Sequence, residues 1–313
     1  MKQSILILRA TTEHELAAFS ADYNIFYCPK TKGFENLTKE QIQSIRGVVT
    51  NASTGIKNEI IDMLPSLEII SYLSAGYEGV DIEYARSKKL IVTHGRGTND
   101  FSVADHALAL MLGLARDIVA CDKATRADQM EKFKSTFDSS LLYKKRLGIY
   151  GLGSIGKQIA QRALGFEMSI SYFNRTKKPD VSYKYLPSLV ELAKNSDWLV
   201  VACSGGDSTF HTVNEGVLKA LGPKGFLLNI ARGSIVDTQA LISALEKKLI
   251  AGAALDVVEG EPHFPEDLCK LSNVILTPHV GGKSLESNEA MVLQALANLA
   301  AYFGGKPVLT PAF

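Results

Sequence analysis

Short apolar runs recur along the chain, with longer stretches of helical character between them. In the first third they fall at residues 5–8, 25–28, 48–50, 67–73 and 90–93. From the middle onward they fall at 147–150, 169–173, 198–202, 226–230, 253–258 and 274–276. Strand–helix alternation of this kind predicts a parallel α/β fold. Leu241, Ala244 and Leu245 share one face of a predicted helix, with Lys247 and Lys248 on the opposite side. Residues 103–116 are almost continuously apolar, which predicts a helix buried on several sides. Val292, Leu296, Leu299 and Phe303 recur at helical spacing, and Gly304-Gly305 marks where that helix ends. The polar stretch 122–140 reads as an arm or a surface helix.

At roughly 150 residues per domain, 313 residues suggest two domains. Hydrophobic residues make up 46% and charged residues 21%, an ordinary globular composition. The net charge of +1 leaves no broad basic field, so no nucleic-acid partner is expected. Cys28, Cys121, Cys203 and Cys269 lie far apart and read as free thiols, with neither a disulfide frame nor a metal site. The longest apolar stretch, 107–115, falls far short of the roughly 18 residues of a membrane span. Residues 4–8 are too short a run for a secretory signal core, so the expectation is a soluble cytoplasmic protein with no membrane partner.

Residues 151–156 read Gly-Leu-Gly-Ser-Ile-Gly, after the run 147–150 and before a helical pattern. That context is what a dinucleotide-binding fingerprint demands. Gly151 makes the turn, Gly153 admits a pyrophosphate, and Gly156 lets helix and strand pack; Ser154 and Ile155 open the helix, whose N–H groups face the phosphates. The next run ends in Asn174-Arg175-Thr176. An acid at this point would hold a ribose 2′-hydroxyl and repel a 2′-phosphate, but Asn174 stands there and no acid occurs before Asp180. NADP(H) is therefore the expected cofactor, with NAD(H) as the alternative.

Of His14, His94, His106, His211, His263 and His279, the last is singled out by following the run 274–276, at the carboxyl end of a predicted parallel strand. Arg232 follows 226–230 and Glu261 follows 253–258. An Arg, a Glu and a His at adjacent strand ends suit hydride chemistry at a carbonyl. Arg grips a carboxylate, His moves a proton at the carbinol oxygen, and Glu favours the protonated His. His263, close to Glu261 in sequence, is the decoy; His14, His106 and His211 read as structural. A structural ion-pair network is the alternative for the trio itself.

These motifs, with residues 73–81, 229–233, 255–262 and 277–282, resemble the D-isomer-specific 2-hydroxyacid dehydrogenases over nearly the whole chain. Residues 51–55, 64–69 and 174–176 are most similar to the branch of NADPH-dependent glyoxylate/hydroxypyruvate and hydroxyphenylpyruvate reductases. The resemblance implies two Rossmann-like parallel-sheet domains with a cleft between them: a flavodoxin-like substrate domain (1–97, completed by 285–313) and a dinucleotide-binding domain (98–284). It implies a homodimer formed through the cofactor domain. His279 would be the acid/base, Glu261 its partner, and Arg232 the carboxylate and carbonyl binder. The Ala75 and Gly76 N–H groups would grip the substrate carboxylate. Asp256 would hold the nicotinamide carboxamide, while Cys203, Ile230 and Gly281 would line the cofactor site, with a plain core cysteine as the alternative for Cys203. Two departures stand out: residues 204–209 lack the family's Pro- and Thr-rich character, and Gly282 replaces a serine common in the branch. The expected reaction is NADPH-dependent reduction of a small 2-oxoacid of the glyoxylate/hydroxypyruvate type. Alternatives are 2-ketogluconate or hydroxyphenylpyruvate reduction and, in another class, a non-catalytic NAD(P)-sensing, corepressor-like protein.

Overall fold

A computed structural model describes residues 2–135 and 137–313. The chain divides into two compact units, one comprising the chain up to Asn99 with Lys283–Phe313, the other Asp100–Gly282.

The first unit holds β1 (Ser4–Ile7), β2 (Asn24–Tyr27), β3 (Ile45–Thr50), β4 (Ile69–Tyr72) and β5 (Ile91–Thr93). They form one parallel sheet of order β2-β1-β3-β4-β5, the flavodoxin-like order. Alternate side chains point to opposite faces. Ile5, Ile7, Val49 and Ile69 pack against Met291, Val292, Ala295 and Leu299 of the Leu285–Phe303 helix. Leu6, Val48, Ile70, Tyr72 and Val92 build the core on the other face. Both faces are covered, which is why the inner strands β1, β3 and β4 are mostly buried and do not alternate between apolar and polar residues.

The second unit holds β6 (Arg146–Tyr150), β7 (Ser169–Phe173), β8 (Lys184–Tyr185), β9 (Trp198–Val201), β10 (Phe226–Asn229), β11 (Gly252–Leu255) and β12 (Val274–Leu276). Their order, β12-β11-β10-β9-β6-β7-β8, reverses direction between β6 and β9. Such a switch point opens a crevice at the carboxyl ends of the strands. The Asp100–Ala115 and Ser154–Ala163 helices cover one face, burying Val103, Ala107, Met111, Ile159 and Ala160 on Leu147, Ile149 and Trp198. The Leu189–Lys194, Glu215–Leu221 and Thr238–Glu246 helices cover the other.

Some expectations are corrected. β8 has two residues and no apolar run, so hydrophobic pattern could not find it. The Thr238–Glu246 helix buries Leu241, Ala244 and Leu245, but it ends before Lys247 and Lys248, and Lys248 adopts a positive φ of 53°. β11 stops at Leu255, so Asp256, Val257 and Val258 belong to the following loop although all three are buried. The polar stretch 122–140 lies in exposed helices, Ile118–Arg126 and Met130–Lys134, and the coil that follows. Thr136, within that stretch, lies outside the described residues. Among the described residues no helix is long and apolar enough to cross a membrane.

Candidate active site

Three adjacent parallel strands, β10, β11 and β12, deliver the charged residues. Arg232 follows β10, where Asn229 folds the turn: its Oδ1 accepts the Ala231 N–H at 3.1 Å and its Nδ2 donates to the Arg232 carbonyl at 2.9 Å. The Arg232 guanidinium donates to the Ala231 carbonyl at 2.7 Å. Its stem lies against Gly205, where a Cβ would stand 2.8 Å from Arg232 Cγ. The unusual 204–209 loop thus makes room for the arginine.

His279 follows β12 with φ of 53°. Its Nδ1 lies 2.7 Å from Glu261 Oε2. A carboxylate only accepts, so Nδ1 carries the proton and Nε2 is the ring nitrogen that faces away from Glu261. Glu261 is anchored in turn by the Val258 N–H, which donates to Oε1 at 3.1 Å. His263 is exposed and does not join them. The neighbouring loop is tied down by Glu259, which accepts from His211 at 2.6 Å and from the Thr238 hydroxyl at 2.5 Å. Burial would raise the Glu259 carboxyl, but the Thr238 and His211 donors bring it below the usual range.

Asp256, directly after β11, is buried and serves the His279 loop. Its carbonyl accepts the His279 N–H at 2.9 Å. Its Oδ1 accepts from the Thr277 hydroxyl at 2.6 Å and the Val280 N–H at 2.9 Å, and its Oδ2 from the Gly281 N–H at 2.9 Å. Because the Thr277 hydroxyl donates to Asp256, it must accept from His106 Nε2, 3.0 Å away. His106 also lies 3.3 Å from Asp256 Oδ1. Burial alone would push this carboxyl up; the donors from His106, Thr277, Val280 and Gly281 hold it at about 2. Most of the acceptor capacity expected to meet a nicotinamide is spent inside the protein, and only Oδ2 keeps a vacancy.

The glycine loop joins β6 to the Ser154–Ala163 helix. Gly151 has φ of +101°, and a Cβ there would stand 2.4 Å from the Cys203 nitrogen. At Gly153 a Cβ would meet nothing within 4 Å, so the loop presents open space where a pyrophosphate must approach. No side chain caps that helix; Ser154 donates to Asp100. The residues therefore fit a dinucleotide. Ile155 and Gly156 turn inward, and Ile230 is buried among the same core. Asn174 braces the loop, its Oδ1 accepting the Leu152 N–H at 2.7 Å, while Arg175 and Thr176 are exposed beside it. Asp180, the first acid after them, is paired with Lys157. Burial pushes the Cys203 thiol up to about 11, against a hydrogen bond with Tyr150, so the sulfur stays protonated at neutral pH. A hollow of about 300 Å³, lined by Tyr150, Phe173, Pro187, Leu189 and Thr212, opens nearby.

In the first unit, Ala75 and Gly76 lie on the loop after β4. Their carbonyls accept, from His94 Nδ1 at 2.7 Å and Ser74 Oγ at 2.6 Å, but no group among the described residues takes either N–H. His94, left unassigned from the sequence, holds the Ala75 carbonyl, and His106, read as structural, braces Thr277 and Asp256.

The sequence profile of the D-isomer specific 2-hydroxyacid dehydrogenase NAD binding domain matches residues 108–281. The chain is 47% identical over 273 residues to hydroxyphenylpyruvate reductase of Plectranthus scutellarioides, covering 87% of this chain and 86% of that protein. It is 47% identical over 270 residues to glyoxylate/hydroxypyruvate reductase A of Arabidopsis thaliana, covering 86% and 85%. Its fold matches, at a TM-score of 0.90 and 34% identity, the crystal structure of an NADPH-dependent glyoxylate/hydroxypyruvate reductase from Sinorhizobium meliloti in complex with NADP and malonate, covering 100% of this chain and 97% of that one. The chain belongs to the D-isomer specific 2-hydroxyacid dehydrogenase family and is an oxidoreductase with an NAD(P)-binding domain.

Proposed function

We propose that the protein reduces a small 2-oxoacid of the glyoxylate/hydroxypyruvate type to the D-2-hydroxyacid, with NADPH preferred over NADH. The observation that carries this reading is the His279–Glu261 pair, carried with Arg232 on loops that follow three adjacent parallel strands. The relatives and the NADP-bound neighbour support it.

In this reading a bound nicotinamide supplies the hydride to the keto carbon. The Ala75 and Gly76 N–H groups and the Arg232 guanidinium hold the substrate carboxylate. His279 Nε2 gives its proton to the oxygen as the alcohol forms, and in oxidation it takes that proton back. Glu261 keeps the ring in the orientation that leaves Nε2 outward and balances the imidazolium charge. Gly151, Gly153, Ser154, Ile155 and Gly156 take the pyrophosphate at the helix N-terminus. Arg175 and Thr176 take the 2′-phosphate with Asn174 between them and the loop; Cys203, Ile230, Asp256 and Gly281 line the rest of the cofactor site. The exposed apolar side chains Phe101, Leu112, Ile118 and Val119 favour a homodimer through the second unit, which light scattering of the purified protein tests.

Initial rates of NADPH and NADH oxidation with glyoxylate, hydroxypyruvate, hydroxyphenylpyruvate and 2-ketogluconate test the function. The expected result is turnover with NADPH well above NADH and the highest kcat/KM on glyoxylate or hydroxypyruvate. A clear preference for one of the larger oxoacids would reassign the substrate. Tight NADPH binding without turnover of any oxoacid would shift the reading to a cofactor sensor.

A further inference from the structure

We infer that His94, held by the chain's C-terminal tail, is the positioning residue of the substrate-carboxylate grip, so that residues 309–312 belong functionally to the oxoacid site. The inference rests on the proposed role of the Ala75 and Gly76 N–H groups.

A trans peptide unit is planar, with its C=O and N–H pointing in opposite directions. Fixing the carbonyl therefore fixes the direction of the N–H on the next residue. The Gly76 N–H shares its peptide unit with the Ala75 carbonyl, which accepts from His94 Nδ1 at 2.7 Å. The Ala75 N–H shares its unit with the Ser74 carbonyl, which accepts from the Gly95 N–H at 2.7 Å. The dipeptide His94-Gly95 thus aims both free donors. A carbonyl cannot donate, so His94 holds its proton on Nδ1, and the bond polarises the peptide unit toward a stronger Gly76 donor. The Ser74 hydroxyl closes the turn by donating to the Gly76 carbonyl at 2.6 Å.

His94 does not stay in place by itself. Its N–H donates to the Thr310 carbonyl at 3.1 Å, and its carbonyl accepts from the Thr310 hydroxyl at 2.7 Å. The tail continues along β5, with the Ala312 N–H donating to the Val92 carbonyl at 2.8 Å and Pro311 bridging Thr93. Asn298, 1% exposed on the Leu285–Phe303 helix, fixes the tail. Its Oδ1 accepts the Leu309 and Thr310 N–H groups at 2.8 and 3.1 Å, and its Nδ2 donates to the Thr310 hydroxyl at 2.9 Å. The Tyr77 ring, edge-on to His94 at 5.1 Å, fills the remaining side. Thr310 thus holds the His94 backbone through both its carbonyl and its hydroxyl, and the His94 side chain is spent on one carbonyl of the grip.

The test compares His94→Leu, which removes the donor, His94→Asn, whose amide can occupy the Nδ1 position, and Thr310→Val, which removes the hydroxyl half of the tail's hold on His94. Each full-length variant is assayed for KM and kcat with hydroxypyruvate, for inhibition by malonate and for NADPH affinity by fluorescence. His94→Leu and Thr310→Val should raise the oxoacid KM and the malonate inhibition constant about tenfold, the loss of roughly one charge-assisted hydrogen bond. Both should keep kcat and the NADPH dissociation constant within about twofold, because binding and not the chemical step is affected. His94→Asn should restore most of the affinity. Unchanged KM in all variants, or His94→Asn impaired as much as His94→Leu, would overturn the inference while the reductase assignment stands. KM, kcat and NADPH affinity declining together would mark a structural role and overturn it equally. Wild-type protein that turned over no 2-oxoacid would overturn the reading of the grip itself, and this inference with it.

Discussion

Glu261 Oε2 accepts from His279 Nδ1 at 2.7 Å while its other oxygen accepts the Val258 N–H at 3.1 Å. The carboxylate is thus anchored to its own loop before it orients the imidazole, and the ring can present only Nε2. His279→Ala should lower kcat about 100- to 10,000-fold with NADPH binding retained. Glu261→Gln keeps the size of the side chain but loses the charge, so kcat should fall less, about ten- to a hundredfold. Steady-state kinetics with a cofactor titration of each variant checks both.

Asp256 gathers the backbone and side-chain donors that shape the His279 loop. Its carboxyl, at about 2, lies below the ordinary value of 3.8. A group depressed in the folded state stabilises it above the unfolded pKa, and that stabilisation is lost as pH falls through the folded value. Asp256→Asn turns one acceptor into a donor facing donors, and should cost about 2 kcal/mol at neutral pH. The stability gap between wild type and variant, measured by urea unfolding, should stay constant from about pH 7 to 5 and shrink between about pH 4 and 2. The variant's kcat should also fall, since His279 loses the frame of its loop.

Asn174 bears on cofactor choice through two separate features. Its Oδ1 braces the Leu152 N–H at 2.7 Å, and its neutrality leaves Arg175 unopposed. Asn174→Asp keeps the acceptor, so the glycine loop should hold its shape, and adds a charge where a 2′-phosphate would lie. The ratio of kcat/KM for NADPH over NADH should drop about tenfold or more, because like charges at close range cost several kcal/mol unless screened. Comparison of both cofactors at low and high salt checks the electrostatic cause.

The strands that carry the site were legible because they read as apolar runs: β10 and β11 lie buried inside the sheet, and even the half-buried edge strand β12 is apolar throughout. The glycine loop, Arg232 and His279 were legible because each stands just beyond such a run, and Glu261 because the buried residues 256–258 extend the β11 run toward it. β8 was not, since Lys184–Tyr185 adds an edge with no core side chain pattern. His106 meets Thr277 across 171 positions and Thr310 meets His94 across 216. Each is a single polar residue whose partner is set by tertiary packing, and no local period marks it. Asp256 illustrates a subtler limit: its place after β11 was legible, but the donors that fill most of its carboxylate come from the loop of the next strand.

The space that a side chain at Gly205 would occupy is filled by the Arg232 stem. A Cβ there would stand 2.8 Å from Arg232 Cγ and 3.3 Å from its Cβ. Neither atom is the mobile end of the side chain, so the stem or the loop must shift. Gly205→Ala should therefore displace the guanidinium and raise the KM for the oxoacid about ten- to a hundredfold, the penalty expected when a bidentate carboxylate contact is misplaced by a fraction of an ångström to an ångström. Arg232→Lys should lose more than this, because an ammonium cannot reproduce the planar fork. If Gly205→Ala impairs NADPH binding and not oxoacid binding, the loop serves the adenosine half and not the arginine. Parallel titrations with NADPH and with malonate separate the two outcomes.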